Sequence, residues 1–594
     1  MREQLTALRT AMQQHGVDYY LVPSGDFHAS EYAGKYFGCR AYVSGFTGSA
    51  GTLVVSADWA GLWTDGRYFL QAGQQLAGSG IELCKMGEPG VPTVNEYLAA
   101  NVKTGQVLGF DGCTINTRQY QQLEKHMQRN GASIACEMDL VGEVWTDRPA
   151  MSAEPVFELA TEVVGQSRAD KIANLRRDLA AAGADVIVLS SLMDICWLLN
   201  IRGNDVACTP VVLSFAAVTA DEVVLFINNR CLPDDIRAHL AADGVTFRAY
   251  NDVYEYVKAI DAGKTLMMNL NVINSTIFAS VPAGVKVLDH VDPTNAPKAA
   301  KNPTEVANMR MAHVKDGVAV TRLMYWLKQN AGKVPMDEIS VAEKLESFRR
   351  EQENYIEPSF SPIIAWGPHG AIVHYSATEA SNIPVQPSSF LLADTGGHYL
   401  EGTTDITRTF AMGPLTDEEK KLYTLVLMGH LRLGGAKFRY GCTGLNLDYL
   451  AREPLWAENL DYNHGTGHGV GYILSVHEGP QNIRSRMMDG SAGAVLEPGM
   501  ITSDEPGIYL EGKFGVRLEN LTVVVEAATS SFGRFMKFEY LTMVPWDLDA
   551  IVPELMTERD KQMLNAYHRQ VREVLTPRLN AEEAAWLAEA TREI

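Results

Sequence analysis

Positive charge is scarce in this chain. Its 51 lysines and arginines face 72 aspartates and glutamates, a formal net charge of −21. A nucleic-acid partner is met by a basic face, so this balance argues against one. Long apolar runs are missing too. None approaches the ~20 residues that span a bilayer, which argues against a membrane partner. The eight cysteines are scattered (Cys39, Cys84, Cys113, Cys136, Cys196, Cys208, Cys231 and Cys442), and none forms a C-x-x-C pair. In a long chain this reads as free thiols in a reducing compartment. The opening "MREQLTALRTAMQQHGVDYYLV" reads as an amphipathic helix and a strand, with no secretory core and no twin arginine. These absences together predict a cytoplasmic protein. Two reaction classes lack their motifs. "AGKT" at 262–265 resembles half a phosphate loop, but Lys258 stands where its first glycine belongs. No G-x-S-x-G elbow marks a serine hydrolase.

What is present suggests several domains. At roughly 100–200 residues each, 594 residues make about three or four. An internal echo organises the first half. "LRTAMQQHGVDYYLVPS" (8–24) aligns with "LRRDLAAAGADVIVLSS" (175–191) at an offset of 167, sharing L-R-x6-G-x-D. Each copy reads as helix, glycine turn, aspartate and apolar strand, which predicts two similar α/β domains. The second copy fades near Pro293, Pro297 and Pro303. Asn302-Pro303-Thr304-Glu305 then reads as a capped helix start, with Val306, Met309, Leu323 and Leu327 on its apolar face. Beyond this helix the chain mixes helices with β-rich segments in α+β order. The expected domains are 1–160 and 161–300, both α/β, and 301–594, with a helical tail in which "MLNAYHRQVREVL" is the clearest amphipathic piece.

Three clusters in the last domain carry chemistry. In "LLADTGGHYLEGTTDITRTF" (391–410) one apolar strand ends at Asp394, and a second segment alternates through Thr403, Asp405, Thr407 and Thr409. A hairpin of the two would set Asp394 opposite Asp405, with Cβ atoms about 5 Å apart. Carboxylates that close need a proton or a cation between them. On this segment alone, a protonated pair or two unrelated turn acids reads equally well. The spacing is not that of a calcium loop. "NHGTGHGVGYILSVHEGP" holds His464, His468 and His477. Its glycines disfavour a helical H-x-x-x-H zinc site and suit close backbone approach around a bound group. "ITSDEPGIYLEGKFGVRLENLTVVV" sets Glu505 at a strand end and Glu519 in the returning strand, on the face of Arg517. A glutamate among apolar strand residues needs a partner; Arg517 as a salt-bridge partner is the plainer alternative to a metal. Four carboxylates with an imidazole form a hard, oxygen-rich set. It suits Mn²⁺ or a similar dication better than a thiolate zinc site. Two bridging carboxylates could hold two ions roughly 3.5–4 Å apart.

The order of Asp, ten residues, Asp, then HGTGHGVG, DEPGIY and RLEN resembles the pita-bread metallopeptidases. Within them it is most similar to the three-domain, cytosolic-type aminopeptidase P branch. The resemblance spans nearly the whole chain, including "SGFTGSAGTLVV", "WTDGRYFLQA", "KNPTEVANMR", "FSPIIAWGPHGAIVHYSAT" and "LNAYHRQV". It implies two creatinase-like N-terminal domains before a pita-bread catalytic domain, and hydrolysis of the bond between an N-terminal residue and a penultimate proline. It implies two divalent ions, Mn²⁺ first and Zn²⁺ or Co²⁺ as alternatives, held by Asp394, Asp405, His468, Glu505 and Glu519. Asp405 and Glu519 would bridge. Asp394 would complete one ion, and His468 with Glu505 the other. His374, His464 and His477 match histidines that act in proton transfer and at the scissile carbonyl. Glu505 doubles as the proton acceptor. Tyr509 and Arg517 match substrate-side positions behind the ligands, and Arg67 matches an N-terminal arginine that reaches the substrate. The family also implies a homodimer. Three rivals stand beside this: metal-free creatinase, which the complete ligand set disfavours; a catalytically dead binding protein, disfavoured on the same ground; and prolidase, whose chains lack the second α/β copy.

Overall fold

The residues of the repeated L-R-x6-G-x-D segment do the same jobs twice in the computed structural model, which describes residues 2–487 and 491–594. Helix α1 (Glu3–Gln14) leads to strand β1 (Tyr19–Pro23), and helix α2 (Arg168–Ala182) leads to strand β2 (Val186–Leu189). Leu8 and Leu175 are buried on the helix faces. Arg9 Nε donates to Ser56 O at 2.9 Å, and Arg176 Nε to Thr219 O at 2.9 Å. Gly16 and Gly183 stop their helices at φ +67° and +68°, where glycine avoids the Cβ clash. Asp18 and Asp185 each accept the backbone N–H of the neighbouring parallel strand, from Val107 and Thr265, both at 2.8 Å.

Each segment feeds the fourth strand of a six-stranded sheet. The first sheet runs Glu82–Lys85, Ala60–Thr64, Thr52–Ser56, β1, Val107–Gly109, Ser133–Ala135. The second runs Val245–Arg248, Val223–Ile227, Ser214–Thr219, β2, Thr265–Met268, Lys286–Asp289. Both central strands pair antiparallel on one side and parallel on the other. The duplication is therefore one of topology and register as well as of sequence. Both sheets lie in one compact unit, Met1–Ala160 with Gln166–Asn295.

The second unit comprises Thr161–Gly165 and Ala296–Ile594. It opens with α3 (Pro303–Asn330), whose Asn302 cap accepts from Thr304 and Glu305 N–H while the Glu305 carboxylate accepts from Asn302 N–H. Helix α4 (Glu338–Arg350) comes next. Strands β3 (Ile363–Trp366), β4 (Phe390–Thr395) and β5 (Ile406–Ala411) form one antiparallel sheet. Leu323, Leu327, Val341 and Leu345 of the helices pack on Ile364, Leu391, Ile406 and Phe410 of this sheet. A six-stranded sheet holds β6 (Gly467–Gly469) beside β7 (Ile501–Asp504), and β7 beside the long β9 (Asn520–Ser530). Strand β8 (Phe514–Arg517) hairpins with Gly507–Leu510. Glu519 N–H donates to Thr407 O at 3.1 Å, stitching β5 to the break between β8 and β9. The tail helix α5 (Glu558–Leu575) buries Leu564, Tyr567, His568, Val571 and Leu575, a helical 3–4 spacing on one face.

Two expectations need correction. Asp394 pairs with Thr407, not Asp405, and the ladder ends at Thr395 with Ile406. The chain does not turn straight back at Gly396 and Gly397. Residues 397–399 and 402–403 make a small hairpin that joins Tyr355–Pro358 in another sheet. Asp405 thus sits just outside the ladder, two residues off the predicted register. The glycines of the histidine segment also have another reason. A Cβ on Gly467 would lie 2.1 Å from Ser503 O, and one on Gly469 2.1 Å from Glu478 O. They admit neighbouring strands rather than a bound group.

Candidate metal centre

Five elements of the second unit converge on one cluster. Asp394 comes from β4, Asp405 from the entry to β5, and His468 from β6. Glu505 directly follows β7, and Glu519 fills the break between β8 and β9. Ligand atoms of Asp405, His468 and Glu519 all lie within 4.8 Å of one another. His468 Nε2 stands 3.5 Å from Asp405 Oδ2 and 3.5 Å from Glu505 Oε1. Its Nδ1 lies 3.0 Å from Gly469 O, so Nδ1 carries the proton and Nε2 presents its lone pair to the carboxylates.

The plain salt-bridge alternative for Glu519 does not hold. Arg517 turns to Asp394, with Nη2 at 2.6 Å and Nε at 3.1 Å from Oδ2. The strand break at 518–519 cancels the alternation that placed Arg517 beside Glu519. The Glu519 carboxylate accepts from Thr407 Oγ1, at 2.8 Å to Oε2. Glu519 Oε1 and Asp394 Oδ1 are buried and accept from no donor among the described residues. Buried carboxylate oxygens without donors are costly, so a missing cation is the simplest completion. The electrostatics agree. Burial, then Asp394 and Glu505, push Asp405 well above the usual carboxylate range. Burial, then Asp405, Asp394 and Glu505, do the same to Glu519. Burial raises Glu505 to about 7 against the opposing pull of Arg517. Four mutually repelling carboxylates with donor-free oxygens and an oriented imidazole fit hard divalent ions.

Of the remaining candidates, His477, His464, Tyr509 and Arg517 are linked by contacts to this cluster. His477 meets His468 edge to face, ring centroids 4.3 Å apart. His464 Nε2 lies 2.8 Å from Tyr509 Oη, to which Arg517 Nη1 donates at 2.9 Å. A hydrogen-bonded chain thus runs from His464 through Tyr509 and Arg517 to Asp394. Burial lifts the Tyr509 hydroxyl to about 12, so it stays protonated at neutral pH. His374 stands between two held neighbours. Val373 O accepts from Arg517 Nη2 at 3.2 Å, and Tyr375 Oη donates to Glu338 at 2.8 Å. Arg67 lies in the first unit, where Asp65 takes its Nε and Nη2, each at 2.9 Å.

Two supporting residues were not anticipated from the sequence. Ser503 accepts the His468 N–H at 2.9 Å and stands 3.4 Å from Glu505 Oε1. Arg408 is buried, donates to Glu519 O, and reaches Val544 O at 2.8 Å and Tyr567 Oη at 3.0 Å. Its place amid the threonines of an apolar strand was the available signal, since a buried guanidinium there needs carbonyl partners.

Comparison with known proteins matches the chain from end to end. The family model for the creatinase/prolidase N-terminal domain matches residues 4–138, and a second model of that description matches 147–305. Metallopeptidase family M24 matches 307–526, and the C-terminal region of peptidase M24 matches 534–594. A protein of Chaetomium globosum named probable Xaa-Pro aminopeptidase P is 39% identical over 99% of this chain and 98% of its own. Its Neurospora crassa counterpart is 38% identical over 99% and 88%. The crystal structure of an X-prolyl aminopeptidase from Caenorhabditis elegans, described as a cytosolic enzyme with a di-nuclear active site, is similar at TM-score 0.95. It is 35% identical and covers 100% of this chain and 99% of that one. A Xaa-Pro dipeptidase from Bacillus anthracis, 25% identical at TM-score 0.51, accounts for only 64% of this chain though 99% of its own.

Proposed function

This chain belongs to metallopeptidase family M24, in its aminopeptidase P branch, and on that premise we infer that it removes the N-terminal residue from peptides with proline in second place. The observation that carries the reading is the buried carboxylate cluster with two donor-free oxygens, set in a chain that matches an X-prolyl aminopeptidase along its whole length.

We assign Asp394, Asp405, His468, Glu505 and Glu519 as the residues that would hold two divalent ions. The hard oxygen set favours Mn²⁺. Such ions supply Lewis-acid activation of water and of the scissile carbonyl. The rest falls to the chain's own groups. Glu505 accepts the proton of the attacking water. His477 donates to the developing oxyanion from beside His468. His374, held through Val373 and Tyr375, carries a proton toward the leaving proline nitrogen. His464, Tyr509 and Arg517 form the wall that receives the proline ring, while the substrate's free amine faces the carboxylates. Supporting a cytoplasmic setting are the eight free cysteines and the cytosolic description of the Caenorhabditis elegans relative. No described helix is long and apolar enough to cross a membrane. We assign a homodimer from the family resemblance; light scattering on the purified protein tests it.

The activity is tested with Mn²⁺-loaded protein on four peptides. Xaa-Pro-Yaa should release one amino acid. Xaa-Ala-Yaa and N-acetylated Xaa-Pro-Yaa should react at least ~100-fold more slowly, the equivalent of losing a contact worth about 2.7 kcal/mol. Cleavage of an Xaa-Pro dipeptide with none of the tripeptide would make the enzyme a prolidase instead. Equal cleavage of the alanine peptide would remove the proline pocket.

A further inference from the structure

We propose that the buried ion pair Asp316–Arg349 is a positioning clasp that sets Asp394 and Asp405 relative to each other, and so lets the cluster take two divalent ions. The proposal rests on the reading of both aspartates as metal ligands.

The ladder cannot do this alone. It ends at Thr395 with Ile406, leaving Asp405 outside, and residues 396–404 make their own hairpin in another sheet. Something else must fix where the chain re-enters β5. Asp316, from the middle of α3, and Arg349, from the last turn of α4, form a two-bond pair. Arg349 Nε donates to Oδ1 at 2.7 Å and Nη2 to Oδ2 at 3.0 Å. The pair then holds three hydroxyls, one at the end of the ladder and two in the inserted segment. Arg349 Nη2 donates to Thr395 Oγ1 at 3.0 Å. Tyr399 Oη donates to Asp316 Oδ1 at 3.1 Å, and Thr404 Oγ1 to Oδ2 at 2.5 Å. Thr395 directly follows Asp394, and Thr404 directly precedes Asp405. One ion pair therefore grips the residue next to each aspartate.

The grip is tightened from below. Gly397 N–H donates to Thr404 Oγ1 at 2.9 Å, and Ser359 Oγ donates to Thr404 O at 2.8 Å. A Cβ on Gly396 would come within 2.0 Å of Thr404 O, so only glycine allows the two ends this close. All members of the network are buried. A buried ion pair is weak evidence for stability, because an apolar pair of similar volume often serves as well. Its contacts here are spent on the segment between two metal ligands, which points to geometry as its use.

The test titrates metal-free protein with Mn²⁺ alone by calorimetry, and records unfolding of the same metal-free samples. Thr404→Val removes the hydroxyl that links the clasp to Asp405. We expect the Kd of at least one Mn²⁺ to rise roughly 10–100-fold, the usual effect of losing support behind a ligand, with the unfolding transition retained. Thr404→Ser keeps the hydroxyl and should bind as the unmodified protein does. Asp316→Leu combined with Arg349→Met removes both charges without stranding one, and is read in the same way if Thr404→Val does not fold. Two ions bound at unchanged Kd in Thr404→Val, or in the double variant, would overturn the clasp alone. Equal loss in Thr404→Ser would also overturn it, by making the methyl rather than the hydroxyl responsible. Fewer than two ions on the unmodified protein would overturn the site reading and the clasp together.

Discussion

Two groups of buried charge in the catalytic unit are balanced in opposite ways. Around Glu478, Lys298 Nζ stands 3.1 Å from Oε2 and Lys301 Nζ contacts Oε1, with no more than 2% of any of the three side chains exposed. There the protein supplies its own countercharge. Around Asp394, four carboxylates gather with one guanidinium, that of Arg517, and two imidazoles. There the deficit is left open. Adjacent residues belong to the two groups: His477 faces the carboxylates and Glu478 faces the lysines. The contrast separates a buried charge that holds the fold from one that awaits a cation.

The sharpest way to break the contrast is to neutralise one carboxylate in each group. Glu519→Gln should abolish both turnover and stoichiometric metal binding. It should leave the metal-free protein at least as stable as the parent, because it removes mutual repulsion and can keep the Thr407 bond. Near-normal turnover with two bound ions would remove Glu519 from the ligand set. Glu478→Gln should do the reverse. It takes the countercharge from two buried ammonium groups and should cost about 3–5 kcal/mol in urea unfolding, with metal stoichiometry kept in the folded fraction. Unchanged stability would show that the lysines need no partner. His477→Ala, one residue away, should lower kcat by ~10²–10³-fold, the typical cost of one oxyanion donor, with two ions still bound. Metal lost in step with activity would make His477 a ligand.

The smallest effect concerns a buried group of a third kind, kept neutral. His568 Nε2 accepts the Trp546 N–H at 3.0 Å, and burial, aided by Arg408 and Arg572, pushes the imidazole down to about 3. An unfolded histidine titrates near 6.5. Between those values the unfolded chain binds the proton and the folded one does not, so stability falls as pH drops from about 6.5. His568→Gln should flatten that dependence by up to about 1.4 kcal/mol per pH unit. Identical slopes in urea midpoints between pH 6.5 and 4.5 would show that His568 is not the titrating group.

The duplication was legible because each named residue of L-R-x6-G-x-D makes a local or neighbouring-strand contact that sequence spacing can encode. The carboxylates were legible for a similar reason: each interrupts or ends an apolar run, where an acid needs an explanation. Register was not. The pairing of Asp394 with Thr407 depends on residues 397–403 joining Tyr355–Pro358, some forty residues upstream in another sheet. Arg517 was visible, but its choice of Asp394 over the nearby Glu519 was not, because the break at 518–519 turns the two side chains apart. The Asp316–Arg349 clasp joins four separated segments, and nothing local to any of them announces it.

The central claim is that this cluster is built for two divalent ions. Anomalous diffraction from crystals grown with Mn²⁺, collected where manganese scatters anomalously, tests it most directly. Two peaks are predicted, with Asp405 and Glu519 contacting both, Asp394 contacting one, and His468 with Glu505 contacting the other. No peak within this cluster, or a single peak at saturating Mn²⁺, would contradict it.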